Sequence, residues 1–223
     1  LAILTVINGS ENLLGRQVVV ADSGGRTGSI NSNLDNDALS VARDSLQQGD
    51  SKIAKLRDSI ELFVEVISAP LTLILIGGVH IAIPLSEMAK MIGYHTIVID
   101  PRRSFGSEDR FPHVDLLLHS WPDSTLSDLG LNSSTAVAVL THDPKIDDLA
   151  LVKALPSQAF YVGALGSQTT NALRLKRLVE AGLKQIDIDR LFAPIGLDIG
   201  GRSPQEIALA IMAEITSIQY RGN

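Results

Sequence analysis

A histidine and an aspartate, His142 and Asp143, follow the apolar segment TAVAVL after one threonine. Side chains of these types at the carboxyl end of a strand can act as acid and base or bind a metal ion. Together with His80 they have the ligand types of a metal-dependent hydrolase, although the sequence does not fix their separation. Asp143 also precedes Pro144, where it can simply cap a turn. Both interpretations of this string remain open.

A glycine string, GGVHIA, follows another apolar segment and gives a second candidate site. Alignment with the dinucleotide-binding pattern G-x-G-x-x-G/A puts Gly77, Val79 and Ala82 at its fixed positions. Asp100 lies 23 residues after Gly77, where a ribose-binding acid is expected. A valine at the middle position should hinder the approach of a pyrophosphate. The string favours a Rossmann-like turn over an ordinary NAD(P) site, and a turn that binds nothing remains the alternative.

Two further segments at predicted strand ends favour an anionic ligand. Arg102 and Arg103 follow Asp100, and an arginine pair can hold phosphate through paired hydrogen bonds. Gly166 and Ser167 end the string YVGALGS, where a helix is predicted to begin and free backbone N–H groups attract anions. A solvated loop at the arginine pair and a simple N-cap at Ser167 are the alternatives.

The glycine-rich string PIGLDIGG precedes the last predicted helix. Ser203 and Glu206 form a capping box there, with Pro204 at the first helical position. The box explains where the helix starts but leaves the glycines unexplained. We expect this loop to be either a tight structural crossing or one wall of a ligand site.

The elements that must position these residues follow from the spacing of apolar side chains. From residue 70 onward, strands alternate with helices, which predicts a Rossmann-like α/β domain with an open parallel sheet over residues 70–223. Residues 1–69 contain strand-like strings and one helix and are predicted to form a smaller α+β domain. In the larger domain the predicted strands are LTLILI, HTIVID, VDLLL, TAVAVL and AFYVGAL, and the predicted helices are IPLSEMAKMIG, 146–155, 167–181 and 204–220.

The composition excludes several classes of function. The formal charge of −6 argues against nonspecific binding to nucleic acid or anionic membranes, which needs a basic surface. Without cysteine, the 223 residues cannot form disulfides, thiolate metal sites or a cysteine nucleophile. No apolar run approaches the roughly 20 residues of a membrane span, and the first residues lack the pattern of a signal peptide, so a cytoplasmic location is expected.

Taken in order, the strings GGVHIA, VIDPR, RFP, THD, YVGALGS and PIGLDIGGRSPQEIA closely resemble the xanthine dehydrogenase accessory factors of XdhC/CoxI type. The resemblance covers about residues 71–220 and implies an N-terminal family domain joined to a C-terminal Rossmann domain. It implies a cytoplasmic, dimeric protein that binds the molybdenum cofactor (molybdopterin) and delivers it to xanthine dehydrogenase-like enzymes. A cysteine desulfurase is the further partner implied, and an accessory role is favoured over that of an NAD(P)-dependent oxidoreductase.

This sequence differs from the usual family pattern in three places. Gly78 and Val79 stand where the family reads G-A-G-H, and NSNLDNDA stands where a glycine–cysteine string is usual. Little separates SKIAKLRDS from ELFVEVI, where a longer loop is expected, and the abrupt start inside a strand is compatible with a truncated first domain. The cofactor-binding residues that we predict from the resemblance are Gly77, Gly78, His80, Asp100, Arg102, His142, Asp143, Gly166 and Ser167.

Overall fold

The computed structural model describes residues 1–21, 24–67 and 70–221. The described chain divides into two compact units on either side of residues 68–69. The predicted domain boundary after residue 69 and the last two residues of the predicted second domain therefore involve residues outside the described ranges.

The first unit is an antiparallel sheet covered by one helix. Its five strands lie in the order β3-β2-β1-β5-β4, and a 3-10 turn at Arg57–Ser59 joins the last two along the chain. Residues alternate along β1, so that Ala2, Leu4 and Val6 are buried in a core shared with the helix, as the period of a strand requires. The elements are β1 (Ala2–Asn8), β2 (Gln17–Val20), β3 (Arg26–Gly28), α1 (Asp35–Gln48), β4 (Lys52–Lys55) and β5 (Glu61–Val66).

The second unit is built on a parallel sheet of six strands in the order β11-β10-β9-β6-β7-β8. Its first strand lies in the middle, and the chain builds outward first on one side and then on the other. This is the strand order of a dinucleotide-binding fold and confirms the predicted Rossmann-like class. The strands are β6 (Thr72–Ile76), β7 (His95–Ile99), β8 (Leu116–Leu118), β9 (Thr135–Val139), β10 (Tyr161–Ala164) and β11 (Leu191–Phe192).

Helices cover both faces of this sheet, which is why its central strands are apolar throughout. Leu73 and Leu75 of β6 face one core, and Ile74 and Ile76 face the other. The helices are α2 (Ala82–Met91), α3 (Pro122–Leu129), α4 (Pro144–Ala154), α5 (Gln168–Glu180), α6 (Gln185–Ile188) and α7 (Pro204–Arg221). Among the described residues, no helix combines the length and apolar character needed to cross a bilayer.

The larger predicted elements agree with the structure, and the shortest ones were missed. The sequence analysis named neither α3 nor α6, because a helix of one or two turns leaves too little periodicity to recognise. It also missed β11, a strand of only two residues that is defined by its pairing with β10.

Candidate functional site

Four connecting turns meet at the carboxyl edge of the parallel sheet. They follow β6, β7, β9 and β10, which are neighbours in the order β10-β9-β6-β7. The topology reverses between β6 and β9, and open α/β sheets bind their ligands at this point. The predicted site residues all belong to these turns or to the helix starts that follow them.

The turn after β6 needs both of its glycines because other loops approach it closely. Gly77 has a φ of 107°, and a Cβ atom there would overlap Thr141 Cγ2. A Cβ atom on Gly78 would lie 2.5 Å from the carbonyl oxygen of Phe105. A Cβ atom essentially never lies this close to a neighbouring heavy atom, so the turn after β6 packs directly against the turn after β9 and the loop after β7.

Val79 does not project into the crevice as the sequence pattern suggested it would. Its side chain is partly buried and packs against the apolar core between the sheet and the helices α2 and α7. The next residue, His80, is exposed. The valine therefore serves the core, and the space near Gly78 is limited instead by the Phe105 carbonyl group.

Asp100, the residue directly after β7, is fully buried and accepts four hydrogen bonds. Its Oδ1 atom accepts from the backbone N–H and Nε of Arg102, each at 2.9 Å. Its Oδ2 atom accepts from Arg102 Nη2 at 2.8 Å and from the Gly78 N–H at 2.9 Å. Desolvation alone would raise the pKa of Asp100, but these donors outweigh it and hold the pKa below its ordinary value.

The guanidinium group of Arg102 is held on two sides. It pairs with Asp100, and its Cζ atom lies 4.0 Å from the centre of the Phe105 ring. The hydrogen bond to Asp100 is the main reason that the pKa of Arg102 is raised, and the charges of Asp143 and Asp147 add to it.

Sequence analysis missed Arg110 as a member of this site. Its Nη1 atom donates to the carbonyl oxygen of Gly78 at 2.7 Å and to that of Phe105 at 2.5 Å. It therefore fixes the loop after β7 against the glycine turn. Arg110 is the first residue of the string RFP, but the sequence analysis used that string only for the family resemblance.

The turn after β9 contains a strained histidine and a helix cap. His142 is exposed and has a φ of 63°, a left-handed conformation that costs most non-glycine residues energy. Asp143 Oδ1 accepts from the Lys145 N–H at 3.0 Å, which makes Asp143 the N-cap of α4. The alternative interpretation of Asp143 as a capping residue is thus correct. This hydrogen bond does not test the prediction that Asp143 also contacts a ligand.

A buried polar network underlies this turn. Thr141 Oγ1 donates to Asp147 Oδ1 at 2.6 Å, and Arg174 Nη2 donates to Asp147 Oδ2 at 3.2 Å. Burial raises the pKa of Asp147 above its ordinary value, although Thr141 and Arg174 both oppose the shift. Arg174 Nη2 also donates to the carbonyl oxygen of Leu165 at 2.9 Å, so the network joins the turns after β9 and β10.

The turn after β10 leads directly into α5. Ser167 Oγ accepts from the Thr170 N–H at 3.2 Å and is the N-cap of the helix. The carbonyl oxygen of Gly166 accepts from Asn171 Nδ2 at 3.1 Å, and Asn171 in turn accepts from Arg174 Nη1. Neither Asn171 nor Arg174 was singled out from the sequence; the charge partner of Arg174, Asp147, lies on another helix.

Part of the glycine-rich loop before α7 packs closely against neighbouring elements. A Cβ atom on Gly163 of β10 would lie 2.6 Å from Ile195 Cγ1, and the Gly196 N–H donates to Glu214 Oε2 at 2.8 Å. The predicted capping box is present, since Glu206 Oε2 accepts from the Ser203 N–H at 2.9 Å and Ser203 Oγ accepts from the Glu206 N–H. These contacts match the structural-crossing alternative for this loop.

Direct contacts bring together four of the nine predicted site residues, and neither histidine is among these four. Gly77, Gly78, Asp100 and Arg102 form one contact group, which reaches the turn after β9 through Thr141. Within the described ranges, no three His, Cys, Asp or Glu side chains are close enough to hold a metal ion. The structure therefore does not bring together the three metal ligands considered for a hydrolase, which were His80, His142 and Asp143.

Comparisons with known proteins agree with this fold. The family described as "XdhC Rossmann domain" matches residues 73–215. A protein of Bacillus subtilis that is named as a probable xanthine dehydrogenase component is 31% identical over 160 residues, which are 72% of this chain and 46% of that protein. The "Molybdenum cofactor insertion chaperone PaoD" of Escherichia coli is 35% identical over 89 residues, or 40% of this chain and 28% of that protein.

A solved structure from Bacillus halodurans, described as a xanthine dehydrogenase, has a similar fold. Its TM-score is 0.61 at 19% identity, over 97% of this chain and 90% of the other. This chain spans less than half the length of each of the two curated relatives. The family match, by contrast, covers more than half of this chain and includes every turn of the site. The chain therefore belongs to the XdhC Rossmann domain family.

Proposed function

We propose that this chain binds the molybdenum cofactor, a phosphorylated pterin, and takes part in the maturation of xanthine dehydrogenase-type enzymes. The proposed role is that of an accessory protein that holds and transfers its ligand. The observation that carries the proposal is the group of turns at the edge of a Rossmann sheet, where an arginine neutralises the strand-end acid. The proposal is supported by a family relative that is named for molybdenum cofactor insertion.

The contacts of Asp100 favour this proposal over a nicotinamide-dependent oxidoreductase. In dinucleotide-binding folds, a strand-end acid accepts hydrogen bonds from the ribose hydroxyl groups. A carboxylate has about four acceptor positions, and Asp100 already receives four donors from Arg102 and Gly78. A ribose would have to break one of these bonds to be recognised in the ordinary way.

In this proposal, exposed side chains contact the ligand, and other residues shape or cap the turns that carry those side chains. His80 and His142 are exposed on the turns after β6 and β9, and Arg102 is partly exposed at the end of β7. The backbone around Gly166 offers N–H groups at the start of a helix, where anions are favoured. The residues proposed to shape or cap the turns are Gly77, Gly78, Asp100, Asp143 and Ser167.

The proposed acceptor is a xanthine dehydrogenase-type molybdoenzyme, in line with the names of the relatives. A cysteine desulfurase, a second copy of the chain and a cytoplasmic location are proposed from the family resemblance alone. Pull-down from a lysate that contains the acceptor enzyme, followed by mass spectrometry, tests the partners directly.

Native mass spectrometry of protein purified from a host that makes the molybdenum cofactor tests the proposed function. We expect a bound mass that corresponds to a pterin phosphate or its dinucleotide form, and no such mass from a host that cannot make the cofactor. The expected effect of His142→Ala is lower retention of this ligand, because the exposed ring lies at the ligand-binding edge.

The matched control is His95→Ala. His95 is also exposed, but it is the first residue of β7 and therefore lies at the amino edge of the same sheet. Retention should be unchanged in this variant. If the wild-type protein carries no pterin mass, or if both histidine variants retain it equally, the proposed function or the proposed place of the site is wrong.

A further inference from the structure

The guanidinium group of Arg102 has hydrogen-bonding capacity that its contacts in the protein do not use. Arginine carries five N–H donors in a planar fork. Nε and one N–H of Nη2 point to Asp100, and this pairing occupies the side of the fork. Among the described residues, none accepts a hydrogen bond from Nη1. The end of the fork, formed by Nη1 and the second N–H of Nη2, is therefore available to a ligand.

The orientation of this free end is fixed before any ligand binds. The pairing with Asp100 uses two parallel hydrogen bonds, and the Phe105 ring covers one face of the guanidinium group at 4.0 Å. Asp100 itself is anchored by the Gly78 N–H. The Arg102 side chain is 30% exposed, whereas that of Asp100 is 0% exposed. A ligand at the end of β7 thus meets a positioned donor fork and cannot reach the acid.

We propose that Arg102 is the specificity-determining residue of this site and that it selects a phosphate group by a paired, end-on hydrogen bond. This inference rests on the proposed function and adds to it the part of the pterin ligand that is recognised at β7. Asp100 and Phe105 are positioning residues, since they act on the ligand only through Arg102. The site consequently prefers a phosphorylated pterin to the same pterin without phosphate.

The charges around Arg102 set how strong this preference can be. The negative charges of Asp143 and Asp147 both attract the guanidinium group. The charge of Asp147 is paired with Arg174, whereas Asp143 is partly exposed and opposes an incoming phosphate. Arg103, the adjacent arginine, is exposed, and no described residue forms an ion pair with it. It has the same charge without the fixed orientation and is therefore a matched control.

Isothermal titration calorimetry with neopterin monophosphate and neopterin tests this inference, because the two probes differ only in the phosphate. We expect wild-type protein to bind the phosphorylated probe roughly 10-fold to 100-fold more tightly, the range of a charge-assisted hydrogen-bonded pair. Arg102→Gln should remove most of this preference. Arg103→Gln changes the net charge equally and should keep the preference.

Arg102→Lys is the second variant, needed because Arg102→Gln leaves Asp100 buried without a cation. A lysine keeps the charge next to Asp100 but has no second edge for phosphate. The Arg102→Lys variant should stay folded, as its melting temperature will show. The ratio of its affinities for the phosphorylated and unphosphorylated probes should be at least two-thirds lower than that of the wild-type protein. Equal binding of the two probes by wild-type protein, or a preference that survives both Arg102 variants, overturns the inference and leaves the proposed function intact. Failure of both probes to bind overturns the proposed function and this inference with it.

Discussion

Replacement of Asp100 by alanine should destabilise the Rossmann unit strongly, because one buried carboxylate organises two turns. The change removes the acceptor of the Gly78 N–H inside the protein, which costs about 1–3 kcal/mol for a buried donor left unpaired. It also removes the partner of Arg102, whose partial exposure lets water replace some of the lost interaction. The expected loss of unfolding free energy is about 1–4 kcal/mol, the sum of the unpaired buried donor and a partly screened ion pair.

Urea unfolding followed by tryptophan fluorescence measures this loss in the relevant part of the chain. Trp121, the single tryptophan of the chain, directly precedes α3 in the Rossmann unit. Asp109→Ala is the matched control, since Asp109 is exposed and should change the stability by less than about 0.5 kcal/mol. Equal unfolding midpoints for the two alanine variants would refute the organising role given to Asp100.

The pH dependence gives a second readout of the same carboxylate. Its hydrogen bonds hold the folded-state pKa of Asp100 below the ordinary value of 3.8. A group with a lowered pKa contributes stability that is fully present above the unfolded-state pKa and is lost as the pH falls through the folded-state pKa. The stability difference between the wild-type protein and Asp100→Asn should therefore be constant from about pH 7 to 5 and shrink below about pH 4. A difference that grows on acidification would contradict the assigned direction.

Three further substitutions test other parts of the site by urea unfolding. Gly78→Ala should lower the free energy of unfolding by about 2 kcal/mol or more, because the new Cβ atom would lie 2.5 Å from a carbonyl oxygen. Gly106→Ala would place its Cβ atom at ordinary contact distances and should lower the free energy of unfolding by less than half as much. His142→Gly should stabilise the unit by about 1 kcal/mol by relieving the left-handed backbone at φ 63°, and a loss of stability would show that the ring makes a compensating contact. Arg174→Met should lower the free energy of unfolding by about 3–5 kcal/mol, since it leaves the buried Asp147 carboxylate without its cation. A loss below about 1 kcal/mol would mean that the pair of Asp147 and Arg174 contributes little to stability.

Much of the fold and part of the site could be predicted from the sequence. The apolar runs of β6, β7, β9 and β10 indicated strands buried on both faces, and their alternation with helices indicated the parallel sheet. The caps of α4, α5 and α7 were also predictable, because each depends on residues within three positions of the helix start. The strand-end positions of Asp100 and His142 follow from the same local patterns.

The partners of the buried polar groups could not be predicted in this way. The string VIDPR contains Asp100 and Arg102, but nothing in it shows that the acid is buried or that the Gly78 N–H, 22 residues away, completes its set of donors. Likewise, Arg174 lies in a polar stretch of α5 and becomes a buried partner of Asp147 only through the packing of α5 against α4.

The sequence by itself determined the class of fold and the caps of α4, α5 and α7. These properties depend on periodicity and on hydrogen bonds between near neighbours in the chain. Only the tertiary structure decided that Val79 packs into the core and that Arg102, rather than Asp100, is accessible to a ligand at the end of β7. The physical reason is that burial and charge pairing depend on which loops meet, and loops far apart in the sequence meet only when the sheet is assembled.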